Sequence, residues 1–382
     1  MMIGFKGDVE MRKVEFGEIA TFSQGLQVSI PDQKNEKFDD CDTFLRIVNY
    51  TSNSDDFRYI PKQNHKHHVS TDDIIMVRYG AVGFVGRGLS GVLANNMFKI
   101  NFDKDQLDGN YLFRALWSDF VQKQLLNASQ STSMPAINFK TTSKITIPLP
   151  PMDQQKKIAA ILDAADAYRQ KTKELITKYD ELTQSLFLDM FGDYLNGDKK
   201  PLKELVKFSQ GQQFGVELQL LEPQNGYARF LRIVDFTQGD DLRYVPNQSE
   251  KHYVKSDDIV IVRYGSSAGF VGTNKEGVLA NNLFKVNYDR TTFHQLFLFH
   301  IFQHGRFKAF IKKEAFGAAM PALSFKVMER FEIPVPTIEL QNQFADRVQA
   351  VEAQKAQAQA SLAQAEDLFN SLLQRAFKGD LV

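Results

Sequence analysis

Cysteine is almost absent. Cys41 is the single one in 382 residues, so no intramolecular disulfide can form. No cationic N-terminal stretch leads into an apolar run, so membrane insertion and secretion lack support and the cytoplasm is the expected compartment. An excess of one charge is missing too. With 46 Lys+Arg against 46 Asp+Glu the formal net charge is zero, which argues against a generic basic nucleic-acid binder. The distribution is less even. Residues 200–336 carry 18 Lys+Arg against 14 Asp+Glu, and residues 337–382 carry 4 against 6. Basic groups gathered on one side can still hold DNA, with weaker nonspecific steering, which predicts dependence on a partner for full affinity.

Signatures of catalysis are missing as well. No GxxxxGK[ST] phosphate loop and no GxGxxG opening a helix after a strand occurs, so ATP-driven work by this chain is unsupported. Neither an Asn-Pro-Pro-aromatic nor an Asp-Pro-Pro-aromatic tetrapeptide of amino-methyltransferases is present, nor is any Glu-x-Lys of the kind found in metal nucleases. His65, His67 and His68 form the one metal-like cluster. Cys41 lacks the surroundings of an activated nucleophile. The expectation is a chain with no catalytic residue, no metal and no cofactor of its own.

What the sequence does contain is a statement made twice. FLRIVNYTSNSDDFRYIP from Phe44 returns as FLRIVDFTQGDDLRYVP from Phe230. VRYGAVGFVG from Val77 returns as VRYGSSAGFVG from Val262, GVLANNMFKINFD from Gly91 as GVLANNLFKVNYD from Gly277, and MPAINFK from Met134 as MPALSFK from Met320. A unit this long is a domain with its own core, not a solenoid repeat. In the second copy the histidine cluster reads Glu250, His252 and Tyr253, so His67 and His252 alone correspond, and a solvated turn entering a strand is the better reading. The 32 Phe residues are spaced mainly like core positions.

Each copy opens with short strand-like segments punctuated by glycine. YLFRALWSDFVQKQLL from Tyr111 reads as one helical insertion. Pro148, Pro150 and Pro151 end a strand, and Asp153 is a plausible N-cap for a helix to about Phe191. Along it Ile158, Ala165, Thr172, Tyr179 and Leu186 recur every seven residues, with Ile161, Tyr168, Leu175 and Leu182 as the alternate apolar positions. The second copy repeats this with Val348, Leu362 and Phe369 in one register and Val351, Ala358, Ala365 and Leu372 in the other. The expected fold is α+β: two similar mixed α/β domains, residues 11–151 and 200–336, separated by two long antiparallel coiled-coil helices, 152–192 and 337–380, with pseudo-twofold symmetry.

In this order the segments resemble the specificity subunit of Type I restriction-modification systems over nearly the whole chain. ITIPLPPMDQQKKIAAILD from Ile145 and EIPVPTIELQNQFADRV from Glu332 look like the family's junction of strand, prolines and helix. SLFLDMFGD from Ser185 and SLLQRAFKGDL from Ser371 look like its helix ends, and VEFGEIATFSQG and LKELVKFSQG like its domain starts. The resemblance implies a non-catalytic DNA-recognition chain with one target recognition domain per half-site. It also implies two methylation subunits binding S-adenosylmethionine, and restriction subunits using ATP with Mg. The copies are closer than the family's two domains often are. That implies a partly palindromic double-stranded DNA target, with half-site centres on the order of 10 base pairs apart. A coiled-coil scaffold without specific DNA binding is the alternative; an enzyme acting alone ranks behind both.

Base edges are read by Arg, Lys, Asn, Gln, Ser and Thr. The duplicated candidates are Arg78 with Tyr79, Arg263 with Tyr264, Arg46 with Arg232, and Arg58 with Arg243. Ser131, Thr132 and Asn138 sit in a polar loop that resembles a family position near DNA, and Lys140 and Lys326 are retained as phosphate contacts. The competing role for the arginines is to cover apolar surface or to pair with Asp72, Asp73, Asp257 or Asp258.

Overall fold

The computed structural model describes residues 12–52, 54–129, 136–239, 241–247, 250–315 and 322–381. It divides into two compact units: residues up to Glu174 together with those from Gln359, and Leu175–Ala358. Each unit contains one copy of the repeat and a stretch of each long helix.

In the first unit, Ala20–Gln24, Met97–Phe102, Ile74–Val77 and Val85–Gly86 form a four-stranded antiparallel sheet. A second sheet is ordered Arg58–Pro61, Cys41–Leu45, Gly91–Leu93, His68–Val69, with its middle pair parallel through Phe44↔Val92 and Leu45↔Leu93. Ile74–Val77 explains why a strand can be apolar at every position. Successive side chains of a strand point to opposite faces. Ile74 and Met76 enter a core with Tyr111, Leu116 and Ile158, while Ile75 and Val77 enter another with Leu45, Ile60 and Leu93. The second unit repeats the arrangement: Ile259 and Ile261 go to one core, Val260 and Val262 to the other. Each strand has its counterpart, as when Cys41–Leu45 returns as Tyr227–Leu231.

The segment read as one helix from Tyr111 is two. Gly109–Trp117 and Asp119–Ser129 are separated by Ser118, which is extended at φ −66° and ψ 146°. The buried Ser118 hydroxyl donates to the Ala115 carbonyl at 2.6 Å and accepts from Val121 N–H at 3.4 Å, ending one helix and capping the next. Apolar periodicity runs across this break, so a side-chain hydrogen bond decides it. In the second unit His304 stands between Gln295–Gln303 and Gly305–Ala315 and accepts from Arg306 N–H at 3.3 Å.

The long helices are Met152–Asn196 and Ile338–Lys378, of 45 and 41 residues and so about 68 and 62 Å long. The first continues past the expected Phe191 because Phe187, Phe191 and Leu195, four apart on one face, are all buried in the second unit's core. The helices run antiparallel within each unit. In the first, Lys173 meets Glu366 at 3.1 Å and Arg169 lies over the Phe369 ring. In the second, Lys355 pairs with Asp180, and the Phe187 and Phe344 rings are 5.7 Å apart.

The helical seam differs from the expected one. Ile158 and Thr172 are buried, and Ala165, Tyr179 and Leu186 are half-buried, so that register faces inward. Ile161, Tyr168, Leu175 and Leu182 do not join it; they are 37%, 56%, 42% and 44% exposed. Their places are taken by Leu162, Arg169, Ile176 and Thr183, one residue further on. A helix of 3.6 residues per turn with two unequal apolar stripes can turn either inward, and packing on the domain core selects the one containing Ile158, Ala159 and Leu162. On the second helix Val348, Ala358, Ala365 and Phe369 are buried, and Val351, Leu362 and Leu372 half-buried.

Candidate DNA interface

Arg78 and Arg263 stand where a buried strand runs into a turn whose next glycine, Gly80 or Gly265, has φ of 94° or 83°, a left-handed conformation that favours glycine. Backbone bonds hold each arginine from two sides. Arg78 N–H donates to Asn96 O at 2.8 Å and its carbonyl accepts from Ile137 N–H at 3.0 Å. Arg263 repeats this with Asn282 at 2.9 Å and Leu323 at 3.0 Å. The Nε of Arg78 donates to Ile137 O at 3.4 Å and its guanidinium lies 5.9 Å from the Phe139 ring centroid. The Nε of Arg263 donates to Leu323 O at 3.2 Å, with the guanidinium 4.6 Å from Tyr264 and 5.5 Å from Phe284. Neither has a carboxylate partner among the described residues. Tyr79 is 37% exposed beside this turn, and Tyr264 is half-buried.

The other four arginines are differently placed. Arg46 donates to Asp56 at 2.9 Å and Arg58 to the same carboxylate at 3.4 Å. Arg232 and Arg243 each reach Asp241 at 3.0 Å. Hydrogen bonding from Arg46 and Arg232 holds Asp56 and Asp241 below the usual carboxylate range. The acidic partners are therefore Asp56 and Asp241, with the buried Asp235 as a second partner of Arg232 at 3.1 Å, and Asp72 or Asp73 is not among them. Asp73 instead meets Lys99 at 3.3 Å, Asp258 meets Lys285 at 2.6 Å, and Asp257 pairs with Arg290. Strand pairing places these carboxylates, which sequence spacing alone does not resolve.

Asn138 is used locally: its side-chain oxygen accepts Thr141 N–H at 2.9 Å and caps a short helix, as Ser324 does for Val327 at 3.2 Å. Lys140 and Lys326, in the first turns of those helices, are exposed and have no ion-pair partner among the described residues. Ser131 and Thr132 lie outside the described residues. Among the described residues no His, Cys, Asp and Glu group could hold a metal. His67 and His252 each bond a backbone carbonyl, of Gln24 and Gln210, at 2.9 Å.

One polar constellation is not assembled by the sequence, where Asn95, Asn96, Asn281 and Asn282 are retained but a strand-edge or turn role explains them as well. Gln24 Nε2 donates to Asn95 O at 3.5 Å, and Asn95 Nδ2 donates to Gln27 Oε1 at 3.2 Å. In the other copy Gln210 donates to Asn281 O at 2.8 Å and Asn281 to Gln213 at 3.1 Å. A legible signal existed: SQGLQ and SQGQQ keep both glutamines, with Leu26 replaced by Gln212 between them.

The duplicated α+β domain joined to paired long helices defines the class as that of a DNA-specificity subunit. The model of the Type I restriction modification DNA specificity domain matches residues 8–183 and again 197–366, and the chain belongs to that family. The chain is 24% identical over 327 residues to the Type I restriction enzyme MjaVIII specificity subunit of Methanocaldococcus jannaschii, covering 77% of this chain and 76% of that one. It is 21% identical over 332 residues to the EcoBI specificity subunit of Escherichia coli, covering 76% and 69%. The fold is similar to that of a Type I restriction-modification S subunit from M. genitalium, with a TM-score of 0.59 at 16% identity over 98% of both chains. A chain from a structure on complex assembly and conformational transition of the type I R-M system gives 0.60 at 18% identity, covering 97% and 98%.

Proposed function

We propose that this chain reads a two-part double-stranded DNA target, one half per repeat, for a Type I restriction-modification complex. The observation that carries this is a contrast repeated in both copies. Four of the six matched arginines are paired with Asp56 or Asp241, while Arg78 and Arg263 are anchored at Nε and the backbone with no carboxylate partner among the described residues. An arginine fixed at its base with terminal N–H groups free suits bidentate contact with guanine O6 and N7. Lys140 and Lys326 then serve as phosphate contacts. Because the copies share most of their framework, the two halves of the target are similar and on opposite strands.

Methylation subunits are the partners of the exposed apolar positions of the first long helix, Ile161 and Tyr168 in the first unit and Leu175 and Leu182 in the second, each pair seven residues apart as suits an added helix. In this reading the chain contributes no catalytic group; S-adenosylmethionine, and ATP with Mg, belong to methylation and restriction subunits. No helix among the described residues is long and apolar enough to cross a membrane. Binding-site selection from randomised duplexes, with the chain and its methylation subunits together, tests the proposal. A two-part motif with an unread spacer is expected. A footprint without sequence preference would favour the scaffold alternative.

A further inference from the structure

Three separate segments of the first copy meet at one place, through Gln24 and Gln27, His67, and Asn95. Their counterparts Gln210, Gln213, His252 and Asn281 meet in the same way. Several nearby positions have drifted, although Ser23, Gly25, Ala94 and Asn96 return unchanged as Ser209, Gly211, Ala280 and Asn282. Leu26, Val28, Ser29 and Ile30 correspond to Gln212, Phe214, Gly215 and Val216, and His65 and His68 correspond to Glu250 and Tyr253. Gln27 and Gln213 are exposed, so burial does not account for keeping them. Hydrogen bonds to water would satisfy such groups with many other side chains.

The local backbone is built to hold this arrangement. Gly25 lets its chain approach residues 93–94 so closely that a Cβ there would lie 2.2 Å from Ala94 O; at Gly211 the distance to Ala280 O is also 2.2 Å. Leu26 N–H donates to Leu93 O at 2.6 Å and Asn95 N–H to Leu26 O at 2.9 Å, which locks the two segments together. A carbonyl can only accept, so His67 Nδ1 carries the proton it gives to Gln24 O. Gln24 in turn donates to Asn95 O, and Asn95 Nδ2 donates to Gln27 Oε1. The outcome is a fixed pair of amides. Its outward groups are the Gln27 Nε2 donors and the Asn95 Oδ1 acceptor, neither bonded among the described residues. Asn96, the next residue, holds the backbone of Arg78 at 2.8 Å, so the amide pair adjoins the proposed reading arginine.

We infer that Gln27 with Asn95, and Gln213 with Asn281, are specificity-determining pairs that each read the edge of one adenine in its half of the target. Adenine offers the N7 acceptor and the N6 donor in the major groove, which call for one donor and one acceptor, the two kinds of group the amide pair leaves unbonded among the described residues. The inference rests on the DNA-recognition reading above and names residues for it. His67 and His252 act as positioning residues through the glutamine that ends each strand, Gln24 or Gln210.

The test is binding-site selection with the chain and its methylation subunits, comparing wild type, Gln27→Ala, Asn95→Ala, Gln213→Ala and Gln27→Glu, with thermal melting of each. Each alanine variant is expected to lower preference about tenfold or more at one adenine of one half-site, leaving the other half and the melting temperature unchanged. Gln27→Glu keeps the acceptor and loses the donor, so the preferred base should move toward cytosine, whose N4 is a donor. A wild-type two-part motif that all four variants keep, or that they weaken evenly at every position, overturns the inference while leaving the function standing. A wild type without any motif overturns both. Rescue of a weakened His67→Ala profile by His67→Asn supports the positioning role, because an amide can restore the donor.

Discussion

The side-chain oxygen of Gln155 accepts the backbone N–H of Asp108 at 2.8 Å, tying the first turn of a long helix to the residue that caps Gly109–Trp117. The same amide donates to Gln106 O at 3.1 Å and Pro150 O at 2.9 Å, so a 1% exposed polar group is fully used. Gln341 does the same for His294 N–H, Thr292 O and Pro336 O, at 2.8, 3.0 and 2.9 Å. Gln155→Ala or Gln341→Ala leaves three backbone groups short of a partner and should cost about 2–4 kcal/mol, read by denaturant unfolding. A loss under about 0.5 kcal/mol would show that water replaces the amide.

Arg78→Ala and Arg263→Ala should each weaken specific binding by about 1–3 kcal/mol and relax preference in one half-site only. Melting temperatures should stay within about 2 °C of wild type, because each variant loses one long Nε hydrogen bond and no ion pair among the described residues. Unfolding of either variant would assign these arginines to the framework instead.

The copies differ where Arg114 in one corresponds to His300 in the other. Arg114 is 7% exposed and bonds Asp163 at 2.7 Å and Asp166 at 2.9 Å, whereas His300 lies between the rings of Phe187, Phe299 and Phe344 at 5.3–5.9 Å. Burial pushes the His300 imidazole down to about 4. Its neutral form is favoured in the folded state, so its stabilisation is complete above pH 6.5 and is lost as pH falls from 6.5 toward 4. His300→Gln should flatten that part of the stability profile by on the order of 2 kcal/mol. Equal acid sensitivity of variant and wild type would count against the burial argument.

Leu175→Glu with Leu182→Glu places charge on the exposed stripe without touching the buried seam. The pair should fold normally, bind methylation subunits at least tenfold more weakly in calorimetry, and show no gain of stability above about 0.5 kcal/mol. Unchanged affinity would move the partner surface elsewhere.

The purified chain should neither transfer methyl groups to DNA nor cut it, with methylation following addition of a separate catalytic subunit. Incorporation of labelled methyl groups by the chain alone would contradict this.

Repetition made much of this protein legible without coordinates. Strings such as VRYG and GVLANN return with the same apolar and glycine positions, and those positions dictate strands and turns by periodicity and by backbone freedom. The long helices were equally plain from their seven-residue recurrence. Which stripe of the first helix faces inward was not, because Ile161 and Leu162 are both apolar and only the shape of the core beside Ile158 separates them. The same holds for charge. Arg46 and Arg78 look alike in the sequence, yet strand pairing brings Asp56 to one and a backbone carbonyl to the other. Local patterns determine element type; partners distant in the chain, such as Gln27 and Asn95, meet through tertiary packing, since hydrogen bonds between them depend on strand register and not on spacing.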